Sequence, residues 1–302
     1  MYLGIDIGGT TIKFGLFKSS GALDKTWTID TNREFDGMFI VNDIEASIGD
    51  NVAIHTLKGI GFAAPGPVDG SLVIEAVNLG WQNVDLKAIF EQKFPDVPVT
   101  VENDANAAAL GEAMSRPDAY QSMVFVTLGT GVGGGVIINQ KIVEGAHGVG
   151  GEIGHLQVVE HGVTCNCGQT GCLETVASAT GIVRIAQERF KTPTALIKDT
   201  MTAKVIFDLA KDGDAFAVDV IDYVTDVLAK ALQNIAVIID PDAFVIGGGV
   251  AKAGSFLTDQ LKAKFDKIAF SNTRNIPIEL AILGNNAGMY GAYHSVKKEV
   301  EA

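Results

Sequence analysis

Apolar positions along the chain fall into short runs separated by glycine-rich turns. Residues 2–17, YLGIDIGGTTIKFGLF, hold two strand-like runs joined by Gly8-Gly9-Thr10-Thr11, which predicts a β-hairpin. The pattern returns at 123–138, MVFVTLGTGVGGGVII, where the joining residues are Gly129-Thr130-Gly131. Residues 37–57 carry one helical pattern, and residues 215–239 a longer, strongly apolar one. The second should stop at Asp240-Pro241, because proline disfavours helix in the residue before it. A strand over 243–246 then enters Gly247-Gly248-Gly249. Residues 59–70 read as a strand ending in a Pro/Gly turn, with Asn78-Leu79-Gly80-Trp81 in a loop after it, both placed to shape a pocket. Residues 97–102 alternate as a strand and 105–114 form a helix, with Asn103 and Asp104 at the junction.

The paired glycine turns suggest phosphate chemistry. Small residues let backbone N–H groups approach an anion, and threonines add hydroxyl donors. Asp6 lies beside the first turn, where a carboxylate next to phosphate calls for a cation such as Mg²⁺ between them; Lys13 is a second cationic candidate. Two such hairpins predict a duplicated unit with one phosphate loop from each half facing a shared cleft. At Gly247-Gly248-Gly249 a flat adenine ring could lie against bare backbone. Asp104 has two readings: a helix N-cap, or an ionised carboxylate at a loop end that accepts a hydroxyl proton.

The stretch 145–178 carries a different chemistry. All three cysteines of the chain fall there, as Cys165-x-Cys167-x4-Cys172, with His155 ten residues ahead and Glu152 and Glu174 on the flanks. Three thiolates and an imidazole suit tetrahedral Zn²⁺ and fill it completely, leaving no position for a catalytic water. Such a metal shapes a loop, and the chemistry comes from the residues the loop holds. His161, four residues before Cys165, rivals His155 as the fourth ligand on spacing alone, whereas His147 reads as a loop residue without chemistry.

Composition narrows the field. The chain has 302 residues, 47% apolar and 20% charged, enough for one large domain or two lobes of ordinary size. A net charge of −13 argues against a nucleic-acid surface, which needs clustered Lys and Arg, but leaves anionic small molecules open. The N-terminus opens directly into a strand-like run, so no secretory signal is expected, and no apolar stretch reaches the roughly 18–20 residues of a membrane span. The expected location is cytoplasmic.

The motifs GGTTIK, APGPVD, VENDANAAALGE, LGTGVGGG, GGEIGH, CNCGQTGCLE and the GGG near 247 together resemble the ROK family of bacterial sugar kinases and related repressors, its glucokinase-like members above all. The paired loops are similar to the actin and hexokinase architecture. The resemblance implies an α/β, two-lobed actin/hexokinase-like (ribonuclease H-like) ATPase fold with duplicated mixed-sheet domains and a structural zinc loop. It places residues 1–117 with 286–302 in a small lobe, where a helical stretch over 286–300 packs back, and 118–285 in a larger one. It implies His155, Cys165, Cys167 and Cys172 as zinc ligands. It also implies Asn78, Asn103, Asp104, Glu152, His155 and Glu174 as sugar-binding residues, with Asp104 the catalytic base. ATP would engage Asp6, Gly8, Gly9, Thr10, Thr11, Lys13, Gly129, Thr130, Gly131 and Gly247–Gly249. ATP, Mg²⁺ and Zn²⁺ are the implied cofactors, a homodimer the implied assembly, and a small-molecule sugar the partner, with neither nucleic acid nor membrane. Glucose is the expected substrate, with N-acetylmannosamine, fructose, mannose or a β-glucoside as alternatives. Repressor members resemble the kinase body with an added N-terminal helix-turn-helix; the first phosphate loop here starts at residue 8, which leaves no room for one.

Overall fold

A computed structural model describes residues 1–116, 120–188 and 201–302. It divides into two compact units, one of Met1–Ala119, Gln140–Gly150 and Asn285–Ala302, the other of Tyr120–Asn139 and Gly151–Gly284. The expected boundary at 117/118 lies outside the described residues, and the segment 140–150, expected in the second lobe, groups with the first unit. There Gly148 sits so close to the carbonyl of Val68 that a Cβ would come within 2.7 Å of it.

The first unit is built on strands β1 (Tyr2–Ile7), β2 (Thr11–Phe17), β3 (Leu23–Asp30), β4 (Gly59–Ala64), β5 (Val68–Asp69), β6 (Leu72–Ala76), β7 (Trp81–Asp85) and β8 (Val99–Asn103). Its main sheet runs β3-β2-β1-β4-β8, with β1, β2 and β3 antiparallel in turn and β1, β4 and β8 parallel; β5-β6-β7 form a small meander. Both faces of the sheet are covered, so β1 and β4 are buried almost throughout. Leu3, Ile5 and Ile7 point to one core with Phe14, Ile44, Phe62 and Phe90. Tyr2 faces the other way, against Phe17, Met289, Tyr293 and Val296.

That second face dictates small residues. The C-terminal helix Ala287–Glu301 lies directly on it, and a Cβ at Gly61 would stand 1.9 Å from the carbonyl oxygen of Ala292. The same helix meets Asp104–Met114 just as closely: a Cβ at Gly291 would stand 1.7 Å from the oxygen of Ala107. Glycine inside a helix costs about 1 kcal/mol relative to alanine, so its presence here reflects packing rather than propensity.

The second unit repeats the design. An antiparallel pair, β9 (Ser122–Leu128) and β10 (Val132–Ile138), is followed by strands Ala243–Gly247 and Ile278–Leu280, parallel to β9 and to each other. Helix Ala215–Ile239 runs its expected length; Asp214 caps it by accepting from Ala217 N–H at 2.9 Å, and Asp240 leaves it at φ 50° ahead of Pro241. Each unit therefore carries a hairpin whose first strand pairs with a following parallel strand, the ribonuclease H-like arrangement the resemblance implies. Among the described residues, no helix is long and apolar enough to cross a membrane.

Two expected elements differ. The helical pattern at 37–57 yields a helix only over Ile40–Asn51. Before it, Phe35, Asp36 and Gly37 turn through positive φ, and Val52 is extended after it. The segment expected to shape a pocket at 78–81 is divided: Asn78 is exposed, whereas Trp81 joins the core, 4% exposed with its indole N–H donating to Gly37 O at 3.2 Å.

Replacing Gly291 with alanine should lower stability by about 1–3 kcal/mol, the usual cost of overpacking. Urea denaturation separates this from helix propensity, which alone would make the variant more stable.

Candidate active site and metal loop

The corner at the end of β8 is made by backbone capping. Asn103, not Asp104, is the N-cap: its Oδ1 accepts from Ala105 N–H at 3.0 Å and Asn106 N–H at 3.1 Å. Its Nδ2 donates to Gly66 O at 2.9 Å, in the Pro/Gly turn after β4. Asp104 becomes the first residue of the helix, exposed, with Oδ1 accepting from Ala105 N–H at 2.8 Å and Asn103 Nδ2 at 3.2 Å. Capping by Asn103 thus fixes the direction in which the Asp104 carboxylate leaves the chain.

In the same unit the first glycine turn connects Ile7 to Ile12, closed by Gly8 N–H donating to Thr11 O at 3.1 Å. Asn78 is exposed in a short 3₁₀ turn beside it, 3.5 Å from where a Cβ on Gly9 would sit. Asp6 is half-buried, and desolvation pushes its carboxyl up while Lys13 pulls it back. The cation that meets Asp6 is Lys13, whose Nζ lies 3.1 Å from Oδ2 and 2.7 Å from Asn285 O.

Spacing does not reveal Glu102, one residue before Asn103, as a titrating group. Its carboxylate accepts from Ser295 Oγ at 2.7 Å and lines a cavity of about 590 Å³ with Thr100, Glu144 and Lys298. Burial lifts its pKa from 4.5 to about 7, against the Ser295 hydrogen bond, with Glu144 adding and Lys298 subtracting.

In the second unit the cysteine loop folds back on itself. Cys165 N–H donates to Gln169 O at 2.7 Å, Gly168 N–H to Cys165 O at 2.9 Å, and Leu173 N–H to Leu156 O at 2.8 Å. This brings ligand atoms of His155, Cys165, Cys167 and Cys172 within 4.8 Å of one another. Cys165 Sγ lies 3.7 Å from His155 Nδ1, and Cys167 Sγ 3.7 Å from Cys172 Sγ. A disulfide needs about 2.05 Å. Tetrahedral zinc with bonds of about 2.3 Å to sulfur has edges near 3.7 Å, so the donor set fits that ion. Burial pushes the Cys172 thiol up to about 12 and raises Cys165 too, a cluster that a divalent cation would ionise. His161 is outside it, highly exposed at φ 54°, 3.7 Å from the Glu160 carboxylate. His147 is exposed in the segment 140–150.

The cysteine loop is tied to the second glycine turn. Glu174, two residues past Cys172, accepts from Val132 N–H at 3.0 Å through Oε2, where Gly131 leaves room that a Cβ would fill at 2.3 Å. Glu152 is exposed just before the 3₁₀ turn Ile153–His155. At the third glycine run, Gly247 gives way to Phe125 and Gly248, at φ 83°, to the backbone of Leu128; only Gly249 faces open space.

The family model described as ROK matches residues 2–299. A glucokinase from Halalkalibacterium halodurans is 42% identical over 99% of this chain and 95% of its own. An N-acetylmannosamine kinase from Yersinia pestis is 31% identical over 96% of each. The crystal structure of a ROK family glucokinase from Streptomyces griseus, in complex with glucose and AMPPNP, superposes with a TM-score of 0.79 at 33% identity, covering 98% of this chain and 99% of that one.

Metal analysis of the purified protein should return close to one zinc per chain, lost in His155→Ala and retained in His161→Ala. For Glu102, the folded pKa of about 7 exceeds the ordinary 4.5, so its contribution to stability is full below pH 4.5 and is lost as pH rises through 7. Glu102→Gln should remove this loss, up to about 3 kcal/mol, when urea midpoints at pH 5 and pH 8 are compared.

Proposed function

This chain belongs to the ROK family, and we propose that it is an ATP-dependent sugar kinase moving the γ-phosphoryl group of Mg·ATP to a hexose hydroxyl, with glucose giving glucose 6-phosphate. The observation that carries this reading is the Asn103–Asp104 corner, a carboxylate set at a helix start by a neighbouring cap. The glucokinase relatives support glucose as acceptor. The N-acetylmannosamine kinase relative supports a second acceptor class, which the same hydroxyl-binding residues would serve.

Phosphoryl transfer passes through a loose transition state, so the protein's work is positioning and charge neutralisation. Asp104 accepts the proton of the sugar hydroxyl as its oxygen bonds to the γ-phosphorus and the bond to ADP breaks. General-base assistance of this kind is worth roughly 10²–10⁴-fold. Asn78, Asn103, Glu152, His155 and Glu174 hold the other hydroxyls, and a site with such partners rejects sugars that leave them unpaired. The amides of Gly9–Thr11 and of Thr130 and Gly131, with Lys13, take the phosphates, while the N–H groups of Gly8 and Gly129 close their own turns; Asp6 orients Lys13; Gly247–Gly249 take the adenine, Gly249 offering the bare backbone.

Zinc, held by His155, Cys165, Cys167 and Cys172, supplies cross-linking of the loop, worth of order 10 kcal/mol in small zinc domains. With Nδ1 of His155 turned to Cys165, Nε2 is the ring atom for a sugar hydroxyl. The homodimer rests on family resemblance and the cytoplasmic location on the sequence reading; both belong to the same proposal.

A coupled ADP-release assay across glucose, N-acetylmannosamine, N-acetylglucosamine, mannose, fructose and cellobiose should give turnover fastest on glucose. Asp104→Asn should lose at least about 10²-fold in kcat while sugar binding and the melting temperature persist. Near wild-type turnover in that variant would remove Asp104 from the mechanism, and turnover on no sugar would reject the kinase.

A further inference from the structure

Two threonines outside the glycine turns hold them in the same way. In the first unit Thr31 N–H donates to Thr10 O at 2.9 Å, and Thr31 Oγ1 donates to Gly8 O at 2.7 Å. In the second unit Ala179 N–H donates to Gly129 O at 2.8 Å, and Thr180 Oγ1 donates to Thr130 O at 2.8 Å. Each turn thus has two carbonyls engaged by one adjacent N–H and one threonine hydroxyl. The two threonines share no local sequence pattern: Thr31 follows β3, and Thr180 lies in the helix Ala179–Glu188 that follows the cysteine loop.

The second bracket is itself secured. Thr180 has one hydroxyl proton, given to Thr130 O, so in its 3.0 Å contact with Ser178 the serine is the donor. Ser178, 1% exposed, accepts in turn from Gly181 N–H at 3.0 Å. A directed chain of hydrogen bonds therefore runs from the helix backbone to the turn.

The peptide plane gives these bonds a consequence on its far side. In a trans peptide the C=O of one residue and the N–H of the next point in opposite directions and rotate together. Holding Gly8 O orients the amide of Gly9; holding Gly129 O and Thr130 O orients the amides of Thr130 and Gly131. We propose that Thr31 and Thr180 are positioning residues for the nucleotide, each fixing the amide face of one glycine turn toward the phosphates. The inference rests on the reading of both turns as phosphate loops.

Thr31→Val and Thr180→Val keep the side-chain shape and delete the hydroxyl, while Thr→Ser at each position keeps the hydroxyl. Each valine variant should raise KM for Mg·ATP by about three- to tenfold, the range of one hydrogen bond. KM for the sugar should stay within about twofold. The serine variants should restore nucleotide affinity, and calorimetric titration with Mg·ADP should reproduce the pattern on proteins whose melting curves show them folded. A folded valine variant with unchanged nucleotide affinity, or a serine variant as weak as valine, overturns the proposal. Thr130→Ala, which removes a hydroxyl from the turn itself, separates the two levels. If it weakens Mg·ADP binding while the valine variants do not, the bracket is wrong and the phosphate loop stands. If neither matters, the loop assignment fails and the bracket with it.

Discussion

A peptide group has a donor end and an acceptor end, and a loop that binds anions through its amides must employ its carbonyls elsewhere. Carbonyls left facing the ligand would repel the charge the amides attract, and carbonyls buried without partners would cost more than the loop gains. Both glycine turns answer this constraint within their own units, by closing a short intraturn bond and handing two further carbonyls to a threonine hydroxyl and a backbone amide. Much of the local architecture serves it. Chain leaving β3 supplies one bracket, and the short helical segments after the cysteine loop supply the other.

In the second unit the Cys3His cluster and the groups that hold the second glycine turn share one stretch of sequence. From Cys172 to Gly181 the chain provides, in succession, a sulfur of the metal cluster, a carboxylate on Val132 N–H, and the hydroxyls that hold the turn. The carboxylate and the hydroxyls each act through a directional bond, all within ten residues of Cys172. A loop with little apolar surface of its own cannot be held by burial, so cross-linking and hydrogen bonds hold it instead.

Much of this was legible in the sequence, and the remainder was hidden for identifiable reasons. The hairpins, the long helix and its stop at Asp240-Pro241 follow from local rules, as does the cysteine spacing. The choice between His155 and His161 did not, because sequence separation says nothing of how a loop doubles back. Asn103 as the true cap was half visible, since either residue at the junction has the right chemistry and only backbone geometry separates them. Trp81 looked like a pocket residue because it follows a glycine in a loop-like stretch, yet its ring is needed to fill the core beneath the Gly37 turn. Thr31 carried no signal, as a single threonine at the end of an exposed edge strand is indistinguishable from solvent-facing filler. Glu102 sat in plain view within a recognised motif, but its burial depends on a helix nearly two hundred residues later.

That last separation has a meaning for biosynthesis. The face of β1 and β4 carrying Gly4 and Gly61 is covered by Ala287–Glu301, which is synthesised after the whole second unit, complete by Gly284. At roughly 5–20 residues per second, the nascent first sheet waits many seconds with a groove shaped for a helix that does not yet exist. Of the two units, the one begun first is therefore completed second, and its glycine face stays open until that helix emerges.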